Sequence, residues 1–329
     1  MDFFQLLSDL EKADPEFLDR LNPRRRVFQH LGNTGKKMTA AAVPALLASF
    51  FNKAYGQTTT LPASVTAVLD LALQLEYLEY YFYDTALNTS GLIPSQETDA
   101  VRIIRNDEAG HINSLRSIPG WTPRADPGRA AFDYSGGSGS GTGPMAAALV
   151  PGGVNANGAV FFGAAQAFSD TGMRAYKGGA PVLNTAATKD ILEAALNIHS
   201  VEARHNSHFR TVRRAIAANS LGSAAAQAVA PYDTAPKSWI SLIDNGGPAA
   251  PNGSKPAAAV YGPGSPATGA PDASYPAEDN VSQAGTPLTG LNAAYTAEAV
   301  SEAFDEPFDA ATVKSIARAF VTPASGLFV

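Results

Sequence analysis

Glu108 and His111 form one Glu-x-x-His pair, and Glu202 and His205 form another. A step of three places both members of a pair on the same face of a helix, about one turn apart. In each case that face is otherwise apolar. Val101, Ile104, Leu115 and Ile118 flank the first pair, and Ile191, Ala195, Ile198, Phe209, Val212 and Ile216 flank the second. An ionised carboxylate stripped of water costs several kcal/mol, at least roughly, unless positive charge meets it. Two inward-facing pairs therefore point to a metal between helices. Carboxylate oxygen and imidazole nitrogen suit iron or manganese, one or two ions, and zinc fits the same donors. Without a metal, the same groups would form a buried salt-bridged or hydrogen-bonded network.

The elements that must present these residues are legible by period. Residues 63–88 carry Leu69, Leu73, Glu76, Tyr80, Tyr83 and Leu87 at steps of three and four, the spacing of one helical face. Pro94 is expected to open the second helix and Pro119-Gly120 to stop it. The third is expected over about 158–177, with stripe Phe162, Gln166, Ser169, Met173 and Tyr176, ended by Gly178-Gly179 and Pro181. The fourth runs from a Thr188 cap to Ala218, its stripe alternating steps of four and three as in a packed bundle. Between the second and third, residues 120–157 are rich in Gly, Ser and Pro. They are too many for a tight turn and read as a crossover from one end of the bundle to the other. The expected fold is all-α: a four-helix bundle with a long crossover between helices 2 and 3.

The two helix pairs repeat one another. Glu76 and Tyr83 are spaced as Ser169 and Tyr176 are, and the spans Glu76–Glu108 and Ser169–Glu202 differ by one residue. In a complete two-metal bundle, one Glu on each of two helices holds a single ion. The Glu of each Glu-x-x-His pair bridges both ions, and each His completes one. The first position here would have Glu76, Glu108, His111 and Glu202. The second would have Glu108, Glu202 and His205, with Ser169 where a terminal carboxylate belongs. Gln166, one turn earlier, could lend an amide oxygen, whereas Asp170 points about 100° away on an ideal helix. Tyr83 and Tyr176 read as core aromatics bonded to ligand carboxylates, Glu79 as a rim charge, and His199 and His208 as edge groups.

The segments Leu75-Glu76-Tyr77-Leu78-Glu79 with Phe82-Tyr83, Asp107-Glu108-Ala109-Gly110-His111, Ala165 to Tyr176 and Glu202-Ala203-Arg204-His205 resemble the ferritin-like superfamily. In particular they resemble the exported bacterial ferritin-like domain family related to desiccation-associated proteins. The tail Phe304-Asp305-Glu306-Pro307 is similar as well. The resemblance implies a carboxylate where this chain has Ser169. At most it implies an oxidoreductase of the di-iron or di-manganese type, with activity that the Ser169 departure undercuts.

The rest of the chain bounds the reading. Of 329 residues with net charge −6, none is cysteine, which excludes disulfides, iron–sulfur clusters and thiol catalysis. No basic run suggests nucleic acid. No phosphate-binding loop suggests a nucleotide, and no nucleophile elbow is present. Residues 1–57 are expected to be an export leader or an N-terminal extension. Arg24, Arg25 and Arg26 precede Phe28, and an apolar run from Met38 to Phe51 follows, shorter than the roughly 20 residues a spanning helix needs. The arrangement is twin-arginine-like and implies export to the periplasm or cell envelope. A buried N-terminal helix is the alternative. Residues 58–220 are expected to be the bundle. Residues 221–329 are expected to be an Ala-, Gly- and Pro-rich tail wrapping it, with Trp239, Ile240 and Leu242 as an anchor and a last helix near Ala310–Phe320. The expected function is metal binding with an iron or manganese redox or stress-protection role. The alternative is a non-catalytic structural protein of the envelope with a degenerate site, whose tail serves self-association or binds an envelope polymer.

Overall fold

A computed structural model of the chain describes residues 60–146, 157–222, 227–229, 232–243, 258–265 and 272–329. The leader expected at 1–57 lies outside the described residues. Four long helices form two hairpins: α1 (Ala63–Leu87) with α2 (Thr98–Arg116), and α3 (Gly158–Leu183) with α4 (Lys189–Ala217). The hairpins meet along α1 and α3. Among the described residues, no helix is long and apolar enough to cross a membrane.

From Leu71 to Glu79, α1 is buried on every side, as a helix enclosed by neighbours must be. Its expected stripe is therefore only part of its buried surface. Leu69, Leu73, Glu76 and Tyr83 point inward, while Tyr80 and Leu87 are half-buried. Phe82, off that stripe, is buried instead and stacks on Phe161 at 4.9 Å between centroids. Helix α2 starts later than Pro94. Residues 94–97 make a preceding turn in which the Glu97 amide donates to the Pro94 carbonyl at 2.9 Å. In α4 the whole expected stripe is buried. Thr188 does precede that helix, but its hydroxyl donates to the Leu183 carbonyl at 2.7 Å rather than capping an α4 amide.

Helix α3 departs from expectation at its end. It passes through Gly178, Gly179 and Pro181 and stops at Leu183. The glycines serve close packing rather than termination. A Cβ on Gly178 would collide with the Phe308 carbonyl, and one on Gly179 would sit 2.8 Å from Val68 Cγ1. At the other end Asn157 caps α3, its side chain accepting from the Ala159 and Val160 amides.

The described part of the crossover, to residue 146, lies on α1, where Tyr134 donates to the Leu78 carbonyl at 2.7 Å. Its glycine-rich loop closes around Asp133, whose carboxylate accepts from the amides of Ser135, Gly139 and Gly141. The C-terminal segments pack on α1 and α3. Arg174 of α3 is fully buried, and its guanidinium donates to the carbonyls of Val260, Gly262, Pro276 and Glu306. It also pairs with Glu278 at 2.8 Å and lies over the Phe308 ring. Short elements complete the tail: α5 (Ala258–Tyr261), the strands β1 (Ser282–Gln283) and β2 (Thr286–Pro287), and α6 (Ala297–Ser301). The last helix, α7 (Ala310–Ala317), is capped by Asp309 and continues as a 3-10 turn to Phe320. Of the expected anchor only Ile240 is buried; Leu242 is half-buried and Trp239 is 54% exposed. Trp239 contributes its carbonyl instead, which accepts from Arg210 at 3.2 Å.

Candidate metal centre

Helices α1, α2 and α4 bring Glu76, Glu108, His111 and Glu202 together. One ligand atom from each lies within 4.8 Å of all the others, and all four residues are buried. His111 Nδ1 is 3.0 Å from Glu76 Oε2, 3.1 Å from Glu108 Oε2 and 3.5 Å from Glu202 Oε1. His205 stands beside this group. Its Nδ1 is 3.2 Å from Glu108 Oε1 and 3.7 Å from Glu202 Oε2, and the two imidazole centroids are 6.3 Å apart. The five sequence-derived residues therefore converge, with Glu108 and Glu202 between the two rings. His205 Nε2 faces Asp107 Oδ2 at 3.1 Å. A carboxylate on the far nitrogen fixes the tautomer and leaves Nδ1 aimed inward, as ligand imidazoles require.

Hydrogen bonding leaves part of this cluster unsatisfied. Neither oxygen of Glu202 accepts a hydrogen bond, and Glu108 Oε1 and His205 Nδ1 also lack a partner of acceptable geometry. Glu202 is only 1% exposed. Orphaned buried acceptors are costly, about 1–3 kcal/mol each and more when charged. His205 Nδ1 lies 3.2 Å from Glu108 Oε1 and 3.7 Å from Glu202 Oε2, so these atoms converge as a donor set that fits a cation.

Proton affinities reflect the same conflict. Burial is the largest influence on Glu76 and pushes it up to about 8, against the opposing pull of His111. Glu202 is raised by burial and by the Glu108 charge. Burial acts on Glu108 too, but a hydrogen bond from His111 and the charges of His111 and His205 outweigh it and hold that carboxyl well below its usual range. Burial disfavours charge on His111 and His205, yet the facing carboxylates raise both well above the ordinary imidazole value.

The neighbours of the centre differ from expectation in two places. Gln166 is not directed at it: its amide oxygen accepts from Arg213 at 2.6 Å and its nitrogen donates to Tyr261. Glu79 is no rim charge. It is buried, its Oε2 accepts from Tyr83 at 2.8 Å and from Ser169 at 3.4 Å, and burial with the charges of Glu202, Glu108 and Glu76 pushes it well above the carboxylate range. Its step of three from Glu76 was the available signal, since that step puts both on one face of α1. Asp107 was likewise missed as a positioning residue, although it adjoins Glu108. Asp170 is turned away and pairs with Arg210 at 2.7 Å. Tyr176 of α3 donates to Glu76 Oε1. Beside the centre lies a cavity of about 280 Å³, walled by apolar side chains including Leu69, Leu75, Ile191 and Val313, with Tyr176 shared between the two.

Two helical hairpins meeting around paired Glu-x-x-His residues define a ferritin-like bundle. Residues 64–215 match the family model described as a ferritin-like domain, and that stretch of the chain is such a domain. No curated protein matches the chain. No solved structure matches it either.

Proposed function

We propose that this protein is an exported, metal-binding ferritin-like protein whose buried centre holds iron or manganese for a redox or stress-protective role in the cell envelope. The observation that carries the reading is the set of orphaned, buried ligand atoms on Glu108, Glu202 and His205 beside the four-residue cluster. Glu76, Glu108, His111 and Glu202 would hold the first ion, and Glu108, Glu202 and His205 would serve a second. Iron or manganese bound there would supply one-electron redox chemistry. The chain's own groups prepare the site. Tyr176 holds Glu76 in place, Asp107 orients His205, and the surrounding apolar side chains exclude water. The site is asymmetric in that α3 offers the neutral hydroxyl of Ser169 where α1 offers Glu76.

The test is elemental analysis of the purified full chain after reconstitution with iron or manganese. Glu108→Ala combined with Glu202→Ala is expected to abolish bound metal while the helical circular dichroism persists. Ser169 also favours a second reading, a non-catalytic envelope protein with a degenerate site. On that reading the same double variant changes stability or assembly, and the unaltered protein binds no metal. Export is supported by the arginines and apolar run of the N-terminal sequence. Arg25→Lys with Arg26→Lys is expected to retain the protein in the cytoplasmic fraction.

A further inference from the structure

The repeat that relates the two hairpins pairs Glu76 with Ser169, Tyr83 with Tyr176 and, three residues on, Glu79 with Gly172. On one side of the centre Tyr176 crosses from α3 to donate to Glu76 of α1. Its counterpart Tyr83 should cross from α1 to donate to a carboxylate at position 169. Instead the Tyr83 hydroxyl donates to Glu79 Oε2 at 2.8 Å, and Ser169 donates to that same oxygen at 3.4 Å. The carboxylate of Glu79 thus stands where the repeat calls for one from α3. Room for it comes from two small residues. Ser169 is a short side chain, and a Cβ added to Gly172 would lie 3.2 Å from Glu79 Oε1. That same point is 3.9 Å from Glu202 Oε2, an oxygen that accepts no hydrogen bond. Glu79 Oε1 and the unsatisfied Oε2 of Glu202 therefore both lie close to one point beside Gly172 of α3.

We infer that Glu79 of α1 is a metal ligand and supplies the second ion with the carboxylate that Ser169 of α3 lacks. This rests on the metal-binding reading above and deepens it. The second position would then hold Glu79, Glu108, Glu202 and His205, with two terminal carboxylates coming from one helix instead of two. Three positions change together in this account. Glu79 gains a ligand role, Ser169 becomes a hydrogen-bond donor to it, and Gly172 leaves space for its other oxygen.

The experiment counts ions in full-length protein stripped with chelator and then titrated with Mn(II) in a calorimeter. The unaltered chain is expected to take two ions. Glu79→Gln keeps the side-chain shape and an acceptor for Tyr83. It is expected to leave the first ion's affinity intact and weaken the second by about tenfold or more, at least the loss typical of perturbing a ligand's support. Ser169→Glu added to Glu79→Gln is expected to restore the second ion from α3. An unchanged second affinity in Glu79→Gln overturns the role of Glu79, as does an unaltered chain that saturates at one ion; both leave the metal centre itself standing. An unaltered chain that binds no Mn(II) overturns both readings. Should Glu79→Gln fail to fold, an anomalous-scattering map of the Mn(II)-loaded unaltered protein decides. A Glu79 oxygen at bonding distance, on the order of 2 Å, from the second ion supports the assignment. A second ion bound without Glu79 overturns it.

Discussion

At the scale of single residues, proton and cation compete for the same oxygens. In the folded protein Glu76 keeps its proton up to about 8, whereas the unfolded chain releases it near the ordinary value of 4.5. The stability this contributes is fully present below the unfolded value and is lost as pH rises through the folded one. His111, raised above 6.5 in the fold, acts in the same direction. Glu108, held low by the two histidines, acts oppositely and only at acid pH, its contribution fading as pH falls below the ordinary carboxylate range. The chelated protein should therefore melt at progressively lower temperature as pH rises from about 5 to about 9. Saturating Mn(II) should flatten that slope, because bound metal replaces the protons. Melting curves by circular dichroism with and without chelator check this, and a melting temperature that rises with pH in chelator would contradict it. Asp107 acts only through His205. Asp107→Ala is expected to weaken metal binding about 10- to 100-fold without unfolding the chain, measurable by Mn(II) titration, and Asp107→Glu should recover part of the loss.

At the scale of helices, period and composition made most of the bundle legible. The stripe of α4 is buried as read, because a long amphipathic helix with one partner face has a simple pattern. The pattern of α1 is less informative, and the place of Glu79 with it. A wheel drawn from α1 alone finds one inward face, but α3 packs against α1 as well, so Glu79, which accepts from Ser169, and Phe82, which stacks on Phe161, are buried where a lone helix would leave them out. The end of α3 is hidden in the sequence for a related reason. Gly178 and Gly179 resemble a stop signal, yet what requires their smallness is far away in sequence: the Phe308 backbone against Gly178 and the Val68 side chain of α1 against Gly179. Gly178→Ala separates the two roles. Alanine favours a helix by about 1 kcal/mol, but here the added methyl meets the Phe308 carbonyl, an overpacking penalty of about 1–3 kcal/mol. A net loss of stability in denaturant titration is expected, whereas a terminator role would predict little change or a gain.

At the scale of the whole molecule, the C-terminal segments are bound to the bundle by polar contacts as much as by apolar ones. Few large side chains are available there, and the sequence composition made that plain. What it could not reveal is that one arginine, distant in sequence, would receive four tail carbonyls and Glu278 together. Arg174→Met removes the donor to four tail carbonyls and to Glu278 and should destabilise the docked tail. Limited proteolysis should then cut residues 258–309 first while α1 to α4 resist, and equal resistance of tail and bundle would argue against the tether. This tether also has a consequence for the order in which the molecule can mature on the ribosome. Arg174 leaves the exit tunnel well before its last acceptor at Glu306 has been made. The acceptors of its guanidinium therefore arrive only late in synthesis, after the four helices of the bundle have already been made.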